Sequence, residues 1–159
     1  MNQKTNSKYK LLFICLGNIC RSPAADGVMH ALVQEAGREQ EFYIDSAGIG
    51  GWHAGQLPDP RMRCHGARRG YDFSHRARQF RQEDFSRFDH IYVMDHDNYQ
   101  AIMRMARDEE EKAKVKMLPD FLRTHVAATI PDPYYGGDRD FEYALDLIED
   151  ACSGLLDTF

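Results

Sequence analysis

Nothing in the sequence approaches the roughly 18 consecutive apolar residues of a membrane-spanning helix, which argues against a helical membrane protein. Cysteine is scarce, at four residues: Cys15, Cys20, Cys64 and Cys152. They form no Cys-x-x-Cys pair and no zinc-like spacing, and a reducing compartment keeps them as thiols. The question that Cys15 raises is therefore one of reactivity, with a structural disulfide the lesser expectation. Two common phosphate-binding glycine patterns, Gly-x-x-x-x-Gly-Lys-Ser/Thr and Gly-x-Gly-x-x-Gly, are both missing; Gly48-Ile49-Gly50-Gly51 fits neither. Internal repeats, low-complexity tracts and Gly/Ser-rich linkers are absent too, so no seam divides the chain.

What is present is the composition of one soluble globular domain: 159 residues, 43% hydrophobic and 28% charged, long enough for a substantial core. The polar stretch Met1 to Lys8 lacks the apolar centre of a signal peptide. It reads as a short flexible tail, residues 1–8, ahead of a single cytoplasmic domain, residues 9–159. A net charge of −5 weighs against bulk nucleic-acid binding. The charge is uneven, however: Arg61 to Arg81 holds seven arginines against one acid, Asp72. Such a run is either a solvated helix face or a positive field that draws anionic substrates.

Strand and helix signals alternate along the chain. Tyr9 to Cys15 (YKLLFIC) is a short apolar run of the kind a buried parallel strand requires. Ser22-Pro23 then opens a helix, with serine as cap and proline in the first turn. Ala25, Val28, Met29, Leu32 and Ala36 fall at helical spacing, and Gly37 is the expected stop. Glu41 to Ser46, His90 to Met94 and Lys114 to Leu118 read as further strands. Helices are expected from Asp59-Pro60 to Gly70, through Ile102, Met103 and Ala106, and from Phe141 to Leu156. The last carries Phe141, Ala144, Leu145, Ile148, Ala151, Cys152 and Leu155 on one stripe. This alternation predicts an α/β fold with a parallel sheet, whose ligands bind beyond the carboxyl ends of the strands. The loop after the first strand begins at Cys15.

That loop reads Cys15-Leu16-Gly17-Asn18-Ile19-Cys20-Arg21-Ser22-Pro23. Cys-x5-Arg alone is weak evidence; leaving a buried strand and entering a helix N-terminus makes it strong, because free N–H groups and the helix dipole favour an anion there. Gly17 and Asn18 are the residues best able to take positive φ and turn successive N–H groups inward. Arg21 can grip two phosphate oxygens with its planar fork. The same electropositive field favours the thiolate form of Cys15, and Ser22 can donate a hydrogen bond to it. A thiolate attacking a phosphate monoester expels an alkoxide or phenoxide, so a proton donor is needed. Asp132, in Pro131-Asp132-Pro133-Tyr134-Tyr135-Gly136-Gly137, is the candidate, and Tyr134 and Tyr135 can wall a slot for an aromatic leaving group. His30, His53, His65, His90, His96 and His125 show no ligand spacing and read as structural or exposed.

With these motifs in view, the chain resembles the low-molecular-weight protein tyrosine phosphatases. The resemblance rests on CLGNICRSP (Cys15 to Pro23), DPYYG (Asp132 to Gly136), Asp45-Ser46-Ala47-Gly48, HRARQ (His75 to Gln79), Asp84-Phe85 and Met94-Asp95. It implies a four-stranded parallel sheet flanked by helices on both faces, and neither metal nor other cofactor. It further implies Cys15 as nucleophile, Arg21 as phosphoryl ligand and Asp132 as acid and then base. The phosphate loop would run over Leu16, Gly17, Asn18, Ile19, Cys20, Arg21 and Ser22. Asn18, Ser22 and Ser46 would brace it, with His75 supporting Asn18. Leu16, Ile19, Trp52, Tyr134 and Tyr135 would line the substrate groove, and Cys20 would pair with Cys15 on oxidation.

The implied partners are tyrosine-phosphorylated proteins or peptides, and inorganic phosphate or other oxyanions in the loop. No nucleic acid or membrane is expected, and the chain would be a monomer or weak dimer. Three rival readings share parts of this pattern. Arsenate reductases need shuttling cysteines that are missing between Cys64 and Cys152. Protein-arginine phosphatases carry threonine at the position of Ile19 and lack the paired tyrosines. A phosphocarrier or phosphate-binding module would not need both Arg21 and Asp132.

Overall fold

The computed structural model describes residues 7–159. Of the expected tail, residues 1–6 lie outside the described residues, while Ser7 is buried and Lys8 exposed. Four strands, β1 (Tyr9–Cys15), β2 (Phe42–Gly48), β3 (His90–Val93) and β4 (Val115–Met117), form one parallel sheet in the order β2-β1-β3-β4. Parallel neighbours need long crossovers. Six α-helices occupy the segments between and after the strands: α1 (Arg21–Glu35), α2 (Pro60–Arg68), α3 (Asp84–Arg87), α4 (His96–Met105), α5 (Glu109–Ala113) and α6 (Asp138–Leu156).

β1 is central and buried on both faces, which is why its apolar run is continuous rather than alternating. Leu11, Phe13 and Cys15 join one core with α1 and α6, while Leu12 and Ile14 join the other with Phe85, Ile91, Val93 and Ile102. The stripe predicted for α6 is buried at every position from Phe141 to Leu155. The helix itself begins three residues earlier, at Asp138. Among the described residues, no helix is long and apolar enough to cross a membrane.

Several boundaries differ from the expectations for physical reasons. α1 begins at Arg21, and its N-cap Cys20 makes no side-chain capping bond. Ser22 is therefore inside the helix and not its cap; its hydroxyl is engaged by Cys15 and Asn18 instead. The helix ends at Glu35, which leaves Ala36 exposed past its last turn. β2 runs on to Gly48 because Ala47 and Gly48 pair with Ile14 and Cys15. A Cβ at Gly48 would lie 2.9 Å from the Gly50 carbonyl oxygen and 3.0 Å from the Gly17 carbonyl carbon, so only glycine lets the loop after β1 pack there. α2 starts as expected, with Asp59 accepting from the Arg61 amide, but stops at Arg68. The short α3 and α5 span 4 and 5 residues, too few to display a helical period in sequence.

The arginine-rich segment is only in part the solvated helix face or free positive field considered above. Arg69 binds Glu142, Asp146 and Glu149, Arg78 binds Asp45 and Asp84, and Arg61 binds Asp59. Much of its charge is neutralised in place, tying α2 and the segment after it to the rest of the fold.

Candidate active site

The loop from Cys15 to Arg21 leaves the carboxyl end of β1 and enters α1 directly. Its carbonyls face outward: those of Cys15, Leu16 and Ile19 accept from the amides of Ile49, Gly50 and Asp59 at 2.8–2.9 Å. In a trans peptide the N–H points opposite to the carbonyl. The amides of Leu16, Gly17 and Cys20 therefore face the inside of the loop, where an anion would be cradled. Of the two residues expected at positive φ, only Asn18 takes it, at 59°. At Gly17 the requirement is space instead, since a Cβ would lie 3.1 Å from the His53 ring.

Asn18 is fully buried and organises the loop. Its Oδ1 accepts from the Arg78 amide at 3.0 Å, and its Nδ2 donates to Ser22 Oγ at 2.7 Å and Ser46 Oγ at 3.0 Å. Because Ser22 Oγ accepts from Asn18, its own proton is free to point at Cys15 Sγ, 3.0 Å away. Asn18, Ser22 and Ser46 thus form one network with the thiol. His75 does not join it by a bond to Asn18. Its Nε2 is buried without a hydrogen-bond partner among the described residues, and its Nδ1 lies 3.7 and 3.6 Å from the carboxylates of Asp26 and Asp45. The support assigned to His75 comes from the Arg78 backbone amide, which lies three residues further along.

Arg21 is 2% exposed, which demands compensation for its charge. Its Nη1 donates to Asp95 Oδ2 at 2.7 Å and to the Ile130 carbonyl at 2.9 Å; its Nη2 lies 3.6 Å from Asp132 Oδ2. Burial alone would weaken the guanidinium's hold on its proton, but Cys15, Asp95 and Asp132 more than offset this and raise its pKa. Nε is buried and makes no hydrogen bond among the described residues. Buried guanidinium N–H groups normally have acceptors, so the edge formed by Nε and Nη2 suits two oxygens of a phosphoryl group.

Asp132 sits on the facing loop. Ile130 anchors the base of that loop, donating to the Met94 carbonyl at 2.9 Å while its own carbonyl holds Arg21. Asp132 Oδ1 accepts from the Tyr134 amide at 3.1 Å, and its side chain is 38% exposed. Cys15 and Asp132 line one cavity of about 290 Å³ together with Leu16, Gly17, Ile19, Cys20, Trp52, Tyr134 and Tyr135. The tyrosine rings meet edge to face, 4.9 Å between centroids. Burial, then Asp59, Cys15 and Asp132, push the Cys20 thiol well above its usual range, so at neutral pH it is protonated.

Three features of the site were missed in sequence. His53, read as structural or exposed, lines the cavity with its Nδ1 held by Gln56 Oε1. Asp95 clamps Arg21; an acid at the end of an apolar strand was the available signal. Asp59 and Arg61, next to Pro60, stand between the two loops.

The comparisons with known proteins agree with this geometry. The profile described as "Low molecular weight phosphotyrosine protein phosphatase" matches residues 10–159. A low molecular weight protein-tyrosine-phosphatase of Streptomyces coelicolor is 43% identical over 150 residues, covering 93% of this chain and 92% of that one. The crystal structure of a protein tyrosine phosphatase from Entamoeba histolytica, with Hepes in its active site, superposes with a TM-score of 0.92 at 43% identity. That superposition covers 94% of this chain and 96% of the other. A Drosophila arginine phosphatase superposes with a TM-score of 0.86 at 31% identity, covering 94% of this chain and 95% of its own. With Cys15 and Asp132 lining one cavity and the buried arginine beside that aspartate, the match over residues 10–159 is decisive: the chain belongs to the low molecular weight phosphotyrosine protein phosphatase family.

Proposed function

We propose that this enzyme hydrolyses phosphotyrosine in proteins or peptides, and small aryl phosphates, through a cysteinyl-phosphate on Cys15. The observation that carries this reading is that Cys15 and Asp132, from two loops far apart in sequence, line one cavity, with the buried Arg21 guanidinium 3.6 Å from the Asp132 carboxylate. The loop amides and Arg21 hold the phosphoryl oxygens while Cys15 Sγ attacks phosphorus. The P–O bond to the tyrosine breaks, and the departing oxygen takes the proton of Asp132. Ser22 stabilises the thiolate before attack and again as leaving group. Asp132, now a carboxylate, takes a proton from water as the water attacks phosphorus, which releases inorganic phosphate and restores the thiolate.

Cys15 is 3% exposed and lies below a rim that includes Leu16, Trp52 and Tyr135, respectively 47%, 68% and 95% exposed. That depth suits the long phosphotyrosine side chain, and the ring would lie among Ile19, Trp52, Tyr134 and Tyr135. The arginine phosphatase likeness keeps phosphoarginine as a second reading, disfavoured by Ile19 and the paired tyrosines. Residues 9–159 are read as one catalytic domain, working as a monomer or weak dimer in the cytoplasm. Rapid-quench mass spectrometry during turnover of a phosphotyrosine peptide should show a phosphoryl adduct on Cys15, with phosphoarginine and phosphoserine peptides turned over slowly. Undiminished turnover by Cys15→Ser would end the proposal.

Cys20, on the same loop, is the thiol proposed to trap oxidised Cys15 as a disulfide. Sulfenic acid on Cys15 would condense with the Cys20 thiol and release water, sparing the nucleophile from irreversible oxidation. Hydrogen peroxide followed by peptide mapping should find the Cys15–Cys20 bond; sulfinic acid on Cys15 with no such bond rules this out.

A further inference from the structure

Beyond the groups that touch the phosphoryl centre, a continuous set of hydrogen bonds joins the phosphate loop to the proton donor through two residues outside both, Asp59 and Arg61. The Asp59 amide donates to the Ile19 carbonyl at 2.8 Å, fixing Asp59 to the outside of the phosphate loop. Both Asp59 carboxylate oxygens accept from Arg61: Oδ1 from the amide at 2.8 Å and from Nε at 3.1 Å, Oδ2 from Nη2 at 2.9 Å. The same Nη2 donates to the Tyr134 carbonyl at 2.9 Å. Tyr134 in turn donates its amide to Asp132 Oδ1 at 3.1 Å. The Arg61 guanidinium also lies 5.5 Å from the Tyr134 ring centroid and 4.7 Å from that of Phe141, within cation–π range of both.

We propose that Arg61 is a positioning residue for the general acid: it holds the Tyr134 peptide at a set distance from the phosphate loop and thereby orients the Asp132 carboxyl towards the leaving oxygen. The proposal rests on the assignment of Asp132 as that acid. Between its anchors at Ile130 and Pro133, the acid loop is exposed at Pro131 and Asp132, and it is exposed again at Tyr135, Gly136 and Gly137, so the Arg61 bond to Tyr134 acts where few other contacts do. Fork geometry is essential to the strut, because one planar group must bind a carboxylate on one side and a carbonyl on the other. A lysine at this position would keep the charge and lose that shape.

The test compares two aryl phosphates, phenyl phosphate, whose leaving group needs a proton, and 2,4-dinitrophenyl phosphate, whose leaving group hardly does. Arg61→Met should lower kcat/KM, which reports only the steps up to the cysteinyl-phosphate, on phenyl phosphate by about tenfold, part of the gain expected of a positioned acid, and leave that of the dinitrophenyl ester within about twofold. Inhibition by inorganic phosphate should be unchanged, because the phosphate loop is intact. Arg61→Lys should recover only part of the loss. Asp59→Asn, which still caps α2, weakens the same strut and should give the same split to a smaller degree should Arg61→Met fold poorly. In an Asp132→Ala background, Arg61→Met should cost nothing further. Equal losses on both esters, or an undiminished further loss in that background, overturn the proposal. Should Asp132→Ala itself lack the leaving-group split, the acid assignment fails; should it show the split while Arg61→Met and Asp59→Asn do not, only the strut falls.

Discussion

The two loops that meet at the cavity are built in opposite ways. The nucleophile's loop is buried: Cys15, Asn18, Ile19, Cys20, Arg21 and Ser22 are each less than a tenth exposed. Its polar side chains are bonded to one another and to β2. The acid's loop is mostly at the surface, with Ile130 and Pro133 as its buried residues and Asp132 38% exposed. In the proposed mechanism one loop keeps a charged nucleophile in a fixed field, which a dense network does well. The other passes a proton to a departing group and then accepts one from water, so its acid has to remain reachable.

The contrast predicts that damage to the acid loop costs rate and damage to the nucleophile loop costs rate and stability together. Asp132→Ala should lower kcat on phenyl phosphate by about 10²–10⁴-fold with the urea midpoint nearly unmoved; a matching drop in stability would break the comparison. Asn18→Ala should cost about 1–3 kcal/mol in urea denaturation, because burial leaves the Arg78 amide without its acceptor and removes the donor to Ser22 and Ser46. Its kcat should fall as well, since Ser22 loses the bond that directs its proton to Cys15. A variant as stable as the parent would show that the network is dispensable to folding.

The smallest effect lies in the segment leading to the acid loop. Asp150 on α6 accepts from the amides of Arg123, Thr124 and His125. Burial would raise its pKa, but those three amides and the His125 ring bring it down to about 2. A depressed carboxyl stabilises the folded state above its unfolded pKa of about 3.9, and that stabilisation is lost as pH falls towards about 2. Asp150→Asn should therefore be less stable than the parent at neutral pH, with the gap closing over that acid window in urea titrations. A gap that persists at low pH would mean that the bonds, and not the charge, provide the anchorage.

The same contrast explains what could be read in the sequence. The nucleophile loop is nine contiguous residues between a strand and a helix, so the chemistry proposed for it rests on a pattern readable from Cys15 to Pro23. Asp132 was legible through its flanking prolines and tyrosines. Asp95 and Arg61 were not, because Asp95 meets Arg21 across 74 residues, and Arg61, besides its neighbour Asp59, reaches the acid loop at Tyr134 across 73. His53 lacked any spacing signal, since it meets the loop by packing on Gly17. The parallel sheet followed from alternation, whereas β2 was drawn two residues short because its last pair is decided by its neighbour β1. His75 shows the opposite error: a neighbouring backbone amide supplies the bond that a side chain was expected to make.

Asn18 also has a consequence for the order of events in folding. Its amide joins positions 28 and 60 residues away, at Ser46 and Arg78. Contacts so distant in sequence close late, after the loop-closure entropy of the intervening chain has been overcome. The thiol at position 15 therefore gains its hydrogen-bonded setting only once β2 and the 78 segment have docked. During refolding, recovery of activity should not precede assembly of the sheet, and a chain caught part-way carries an ordinary cysteine rather than an enzyme's.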